Sequence, residues 1–192
     1  MPAPIDRTRI LEAALAVWRE DGYRDATTRK VAAHAGVGEV TLFRRFGDKA
    51  ALFQAALELE AERFAGDGIT HTGNLEGDLE RIVGAYQAML ARSRAIVFDV
   101  LLEAPRHPEL AAVRLVPLAA IRNVANVIAT YQRDGRLRSG DPMQAVLALL
   151  GPVLTAALLA RAQPGLVTEP DPQGIAQGFL TGWQCVEDRG LR

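Results

Sequence analysis

The sequence predicts an all-α protein, with a compact set of short helices at the N-terminus and a larger bundle of longer helices after it. Three observations predict this class. Apolar residues recur at i, i+3, i+4 and i+7 through nearly every segment, and none shows the apolar–polar alternation of a half-buried strand. Residues that favour helix starts, Asp6, Thr27 and Asp48, precede the periodic runs, and Gly22, Gly36 and Gly135 follow them. The stretch AGDGITHTGNL, residues 65–75, gathers glycines and short polar residues in one place and divides the chain. The expected division is residues 1–50 as one domain, a linking helix over 49–65, and residues 66–192 as a second domain.

The elements follow in order. Asp6 is the N-cap of a first helix reaching Asp21, with Ile10, Leu11, Ala14, Val17 and Trp18 as its inward stripe and Gly22 as its stop. Thr27 or Thr28 caps a second helix, to His34, whose small apolar face is Val31, Ala32 and Ala35. Gly36-Val37-Gly38 turns the chain into a short third helix over 39–46, with Val37, Leu42 and Phe46 inward. Two short helices joined at a steep angle by a glycine-containing turn form a helix-turn-helix. Asp48 caps a fourth helix from Lys49, which carries Leu52, Phe53, Ala56, Leu57 and Phe64 on its apolar side.

Beyond the 65–75 loop, helices are expected over 76–92 and 95–103, then a break at 104–108, where Pro105 and Pro108 disfavour helix. A helical region over 108–132, irregular at Pro117, stops at Asp134-Gly135. Helices over 143–160 and 173–187 complete a count of four, then five or six more. Residues 142–160 carry no charge. That run is marginal for a membrane span, contains Gly151-Pro152 and has no second span beside it, so a buried or subunit-facing helix is expected.

Composition sets limits on function. A hydrophobic fraction of 49% with 23% charged residues describes a soluble chain able to bury a core. The N-terminus has no apolar h-region, so no signal peptide is expected, and the single cysteine, Cys185, excludes an intrachain disulfide. A cytoplasmic protein is the expectation. There is no Gly-rich phosphate loop, no metal-spaced His/Cys cluster and no hydrolase elbow, and His34, His71 and His107 are scattered. No enzyme, cofactor or metal is therefore expected. The net charge is −1, but residues 1–50 carry nine Lys/Arg against seven Asp/Glu, and residues 24–49 carry six against three. Phosphate contact depends on that local excess rather than on the total.

The segment RILEAALAVWREDGYRDATTRKVAAHAGVGEVTLFRRFGDKAALF, residues 9–53, resembles the DNA-binding domain of the tetracycline-repressor (TetR) family. Ile10, Ala13-Ala14, Gly22-Tyr23, Thr27-Thr28, Val31-Ala32, Ala35-Gly36-Val37, Thr41-Leu42-Phe43-Arg44, Phe46, Lys49 and Leu52-Phe53 carry the resemblance. There are departures. The family often has serine where Gly38 stands and a small residue at Val40. It usually has tyrosine at Phe43 and commonly tyrosine or histidine at Arg45. Phe43 lacks the phenolic OH that family members use on a phosphate. These departures point to a different operator.

Leu42 and Phe46 face inward, so Glu39, Val40, Thr41, Arg44 and Arg45 face outward on the third helix. Arginine pairs with guanine O6 and N7, and valine meets a thymine methyl, so Arg44, Arg45 and Val40 are the candidate base readers. Thr41 and Lys49 resemble the family's phosphate-contacting pair, and backbone N–H groups at the start of the fourth helix add to them. Arg29 reaches either a base or a phosphate. Glu39 accepts from a cytosine or, preferred here, pairs with a nearby arginine.

For the larger half, the resemblance implies a homodimer built on the last two helices and a ligand cavity in the middle ones. Candidate pocket residues are Phe64, Tyr86, Met89, Phe98, Leu101, Leu102, Val124 and Ile128, for a small apolar or amphipathic ligand. Asp99 and Glu103, four apart, either hold a cationic compound or form a solvent-facing edge, and the edge is preferred. The function expected is a ligand-responsive transcriptional regulator, a repressor binding a near-palindromic operator as a homodimer and released by a small molecule. The alternative is a ligand-independent activator or architectural DNA-binding protein with a filled C-terminal core.

Overall fold

The structure, a computed structural model, describes residues 6–66, 68–102, 113 and 115–185. Glu103, the 104–108 break with His107 and the start of the region expected from 108 lie outside the described residues, whereas the last helix, expected to reach 187, ends at Trp183 with Gln184 in extended geometry as its cap. Among those described there are eight helices and no strand: α1 Arg7–Asp25, α2 Thr28–Ala35, α3 Glu39–Phe46, α4 Lys49–Gly66, α5 Leu75–Leu102, α6 Leu115–Arg133, α7 Pro142–Ala162 and α8 Pro172–Trp183. Among the described residues four helices are followed by four. The expected helices over 76–92 and 95–103 are one helix, α5, broken locally at Ser93 (φ −132, ψ 20). Pro117 causes no internal irregularity because it lies in the first turn of α6, where a missing N–H has no acceptor to lose.

The chain forms two compact units, one of residues 1–63 with 91–119, the other of residues 64–90 with 120–192. In the first, Asp6 accepts from the N–H of Thr8 and Thr27 from that of Lys30, so α1 and α2 begin at side-chain caps. Gly36 ends α2 in the left-handed conformation (φ 68, ψ 36), which glycine adopts without a Cβ clash. The whole inward stripe of α1 is buried, as are Val31, Ala32, Ala35, Leu42, Leu52 and Phe53. Trp18, Tyr23 and Phe53 pack edge-on or tilted with ring centroids 5.0–5.6 Å apart. Ile96 and Val100 of α5 complete this core.

Gly22 does not end α1, as the sequence suggests; it breaks it. With φ 74 and ψ 165 it interrupts the helix, and one further turn runs to Asp25. The carboxylate of Asp99 fills that break, accepting from the N–H of Tyr23 (3.2 Å) and the indole N–H of Trp18 (3.1 Å). Asp99 is therefore neither a cation ligand nor a free solvent edge. A buried indole N–H and a backbone N–H released by the break both need an acceptor, and Asp99 is the one at hand.

In the second unit Asp78 of α5 is fully buried and accepts from the backbone N–H (2.7 Å) and hydroxyl (2.6 Å) of Thr72, from the Tyr131 hydroxyl and from Arg81. Burial alone would raise its pKa, but the bonds from Thr72 and Tyr131 and the charge of Arg81 hold it below the usual carboxylate value. Asp141 and Asp171 cap α7 and α8 through the N–H groups of Met143 and Gly174. The C-terminal end of α8 is pinned by Arg138, whose N–H donates to Trp183 O and whose guanidinium lies 4.0 Å from the Trp183 ring centroid. Helix α7 has a mean hydropathy of 2.0 and is long and apolar enough to cross a membrane by length and composition, yet only 28% of that window is buried. It is not the fully buried helix its composition allows. Ala145, Val146, Leu149, Leu150 and Val153 face the interior, and Leu147 (64% exposed) and Leu158 (47%) do not.

Candidate nucleic-acid interface

Helix α3 is strongly two-sided. Leu42 is its one fully buried side chain and Phe46 packs on the core rim, which fixes the rotation of the helix about its axis. The opposite side then carries Val40 (80% exposed), Phe43 (50% exposed), Arg44 and Arg45, with Thr41 half-buried beside them. Arg29 is exposed near the start of α2. Of the residues expected to face outward, Val40, Arg44 and Arg45 are exposed while Glu39 and Thr41 are half-buried, and Phe43 joins the exposed set as a ring with no phenolic OH.

Glu39 and Lys49 have intramolecular partners that the sequence did not reveal. Glu39 accepts from the Thr28 hydroxyl at 2.7 Å, so its partner is a hydroxyl and not the arginine expected. The bond joins the first turns of α2 and α3 and places a carboxylate at the positive end of α3, where Gly38 offers no side-chain cap. The Lys49 ammonium donates to the carbonyls of Tyr23 (2.6 Å) and Arg24 (3.3 Å) and lies 4.3 Å from the Tyr23 ring centroid. It satisfies carbonyl oxygens of the short turn after Gly22, a role whose need appears only once the break is seen. At the start of α4, Asp48 already accepts from the N–H of Ala51 (2.8 Å), so one of the N–H groups expected for a phosphate is occupied. Lys30 pairs with Asp21 at 2.9 Å, which removes one cation from the local excess.

The candidate pocket residues are divided. Phe64 and Tyr86 are brought together in the second unit, ring centroids 6.0 Å apart, and Val124 and Ile128 of that unit are fully buried. Burial pushes the Tyr86 hydroxyl up to about 12. Met89 is half-buried there. Phe98 and Leu101 belong to the first unit, Leu101 being 50% exposed, and the Leu102 side chain lies outside the described residues.

Known proteins resemble the chain in both parts. A model of bacterial regulatory proteins of the tetR family matches residues 10–56. The HTH-type transcriptional regulator UidR of Escherichia coli K12 is 24% identical over 185 residues, spanning 94% of this chain and 90% of that protein. The DNA-binding transcriptional repressor TetR of Mycobacteroides abscessus is 32% identical over 100 residues, 52% of each chain. Among solved structures, the flavonoid-responsive regulator FrrA superposes with a TM-score of 0.68 at 25% identity, over 96% of this chain and 98% of that one. Residues 10–56 thus match the DNA-binding part of the tetR family of bacterial regulatory proteins, and the chain is similar to transcriptional regulators along nearly its full length.

Proposed function

We propose that the protein is a ligand-responsive repressor that binds a near-palindromic operator as a homodimer and is released by a small molecule. The observation that carries this is the outer face of α3. Val40, Arg44 and Arg45 are exposed on a helix locked in rotation by Leu42, the arrangement a recognition helix needs in the major groove. In this reading Arg44, Arg45 and Val40 meet base edges, while Thr41, Arg29 and Lys49 hold phosphates. Lys49 then serves a phosphate from its position on the Tyr23 carbonyl. Residues 1–50 address the DNA, and residues 66–192 dimerise and hold the ligand.

The second copy covers α7 and α8. Leu147, Gly151, Leu154 and Leu158 form one stripe of α7 away from its buried side, and a Cβ added at Gly151, Gly178 or Gly182 would meet nothing within 4 Å. Such glycines allow a partner helix to approach closely, and an apolar face of this length is costly to leave in water. An apolar or amphipathic ligand would lie against Phe64, Tyr86, Met89, Val124 and Ile128. The flavonoid response of FrrA supports that ligand class. The protein would act in the cytoplasm.

The test is selection of bound duplexes from a random pool, repeated with a panel of flavonoids and other amphipathic compounds. A two-fold related motif with half-sites roughly 34–36 Å apart is expected, weakened by at least one compound. Failure to enrich any palindrome overturns the reading, and an enriched palindrome insensitive to the panel leaves the ligand-independent alternative.

A further inference from the structure

The first compact unit contains a cleft of about 420 Å³ that lies apart from the α3 face and from the residues assigned above to the ligand. Arg9 and Arg19 of α1, His34 of α2, Arg63 of α4 and Arg92 of α5 converge on it. Its volume falls within the range of small-molecule sites, roughly 300–1,000 Å³. The space exists because α1 presents Ala13 and Ala16 here, one turn apart, where longer side chains would close it.

The cleft is unevenly charged. Four guanidinium groups face two carboxylates, Glu12 and Glu60, in a chain whose total charge is −1. Glu60 is buried and already shared, accepting from the Ser93 hydroxyl (2.9 Å) and Arg63 (3.0 Å) and lying 3.6 Å from Arg92. Arg19 donates to two carbonyls, those of Leu15 and Arg92, so its hydrogen bonds there meet no carboxylate. The Arg9 guanidinium lies over the Gly36 turn, 3.0 Å from where a Cβ would stand. Glu12 meets Arg63 at 2.5 Å, but both side chains are substantially solvent-exposed, and such pairs contribute little. An incoming anion can displace Glu12 at small cost, and guanidinium forks suit carboxylate and phosphate oxygens.

We propose that this cleft is a second effector site, one that takes a small organic anion with a carboxylate or phosphate head on a short apolar body. The head meets Arg9 and Arg19, and the body lies along Ala13 and Ala16. Occupancy would bridge α1, α2, α4 and α5 of the unit that carries the recognition helix.

The test uses the full-length ¹⁵N-labelled protein without DNA, so its outcome does not depend on the regulator reading. Benzoate and phenyl phosphate are titrated against the neutral benzyl alcohol, following the amides of Ala13, Ala16 and His34 and the side-chain N–H signals of arginine. Both anions are expected to move these signals saturably and benzyl alcohol to leave them still. Arg9→Gln and Arg19→Gln should each weaken anion binding at least tenfold. Both residues are exposed, and Arg9→Gln leaves the carbonyl bonds of Arg19 intact, so at least one folded variant is expected. No saturable shift, equal shifts with benzyl alcohol, or unchanged affinity in both variants overturns the proposal.

Discussion

Removing the Asp99 carboxylate tests the link that closes the break in α1. One oxygen, Oδ2, accepts both from the Trp18 indole at 3.1 Å and from the Tyr23 backbone at 3.2 Å. Hydrogen bonds to a charged group contribute about 1.5–3 kcal/mol each, so a dry site would lose up to about 6 kcal/mol in Asp99→Ala. Trp18 is fully buried and has no alternative acceptor in water, but Asp99 is half-buried, and solvent entering its place can satisfy the Tyr23 N–H. The expected net loss is about 2–3 kcal/mol, which for a chain of this length lowers Tm by roughly 5–10 °C. Asp99→Asn keeps a carbonyl oxygen at the Oδ2 position and loses only the charge, so it should cost about 1 kcal/mol. Thermal unfolding followed by circular dichroism gives the order, wild type above Asn above Ala. Hydrogen exchange of the Trp18 indole, with Trp183 as internal control, gives the location. A Tm for Asp99→Ala within a degree of wild type, or an unaltered Trp18 exchange rate, would refute the reasoning.

Asp78 has a folded-state pKa below its unfolded value, so its stabilisation is complete above about pH 4 and is lost as pH falls through the lower folded value. Acid unfolding of the wild type should steepen there, and Asp78→Asn should flatten that dependence while lowering stability at pH 7 by roughly 3 kcal/mol in urea titrations. Arg45→Ala should relax sequence preference at one operator position by about 1–3 kcal/mol, read by binding to single-substituted duplexes. Equal loss on all sequences would make Arg45 a backbone contact instead. Leu158→Glu places a charge on the uncovered stripe of α7 and should give a monomer in sedimentation while leaving the helical content unchanged. An intact dimer in that variant would move the interface elsewhere.

Much of the fold was legible because its signals are local. Asp6, Thr27 and Asp48 each sit immediately before an apolar period, and each side chain accepts an N–H of the first turn that follows. Gly36 and Gly135 each carry positive φ where a helix stops. Helix α3 was placed to the residue for the same reason. The errors come where one local signal has two outcomes. The sequence marks Gly22 as a stop because a positive-φ glycine commonly ends a helix, but whether the chain resumes depends on an acceptor 76 residues away from the Tyr23 N–H. The gap between the two expected helices of α5 was real in position, since Ser93 departs from helical geometry, yet it was a break within one helix.

The candidate site divides along the same line. Its outward direction follows from Leu42 and helical period alone, so Val40, Arg44 and Arg45 could be placed from sequence. The occupancy of its charges could not. Glu39 had an arginine as its expected partner because arginines are the neighbours in sequence, but the start of α2 is closer in space, and Thr28 reaches it first. Lys49 shows the physical consequence most clearly. Its ammonium is held by the Tyr23 carbonyl, which faces it only because Gly22 breaks α1 and Asp99 fixes the N–H on the other side of the same residue. A phosphate at Lys49 would therefore meet a cation whose position is set by Asp99 of α5. If that chain of contacts holds, Asp99→Ala should loosen Lys49 as well as Trp18, and weaken binding to all duplexes alike without changing the preferred sequence. A changed sequence preference would mean instead that Asp99 acts on the rotation of α3.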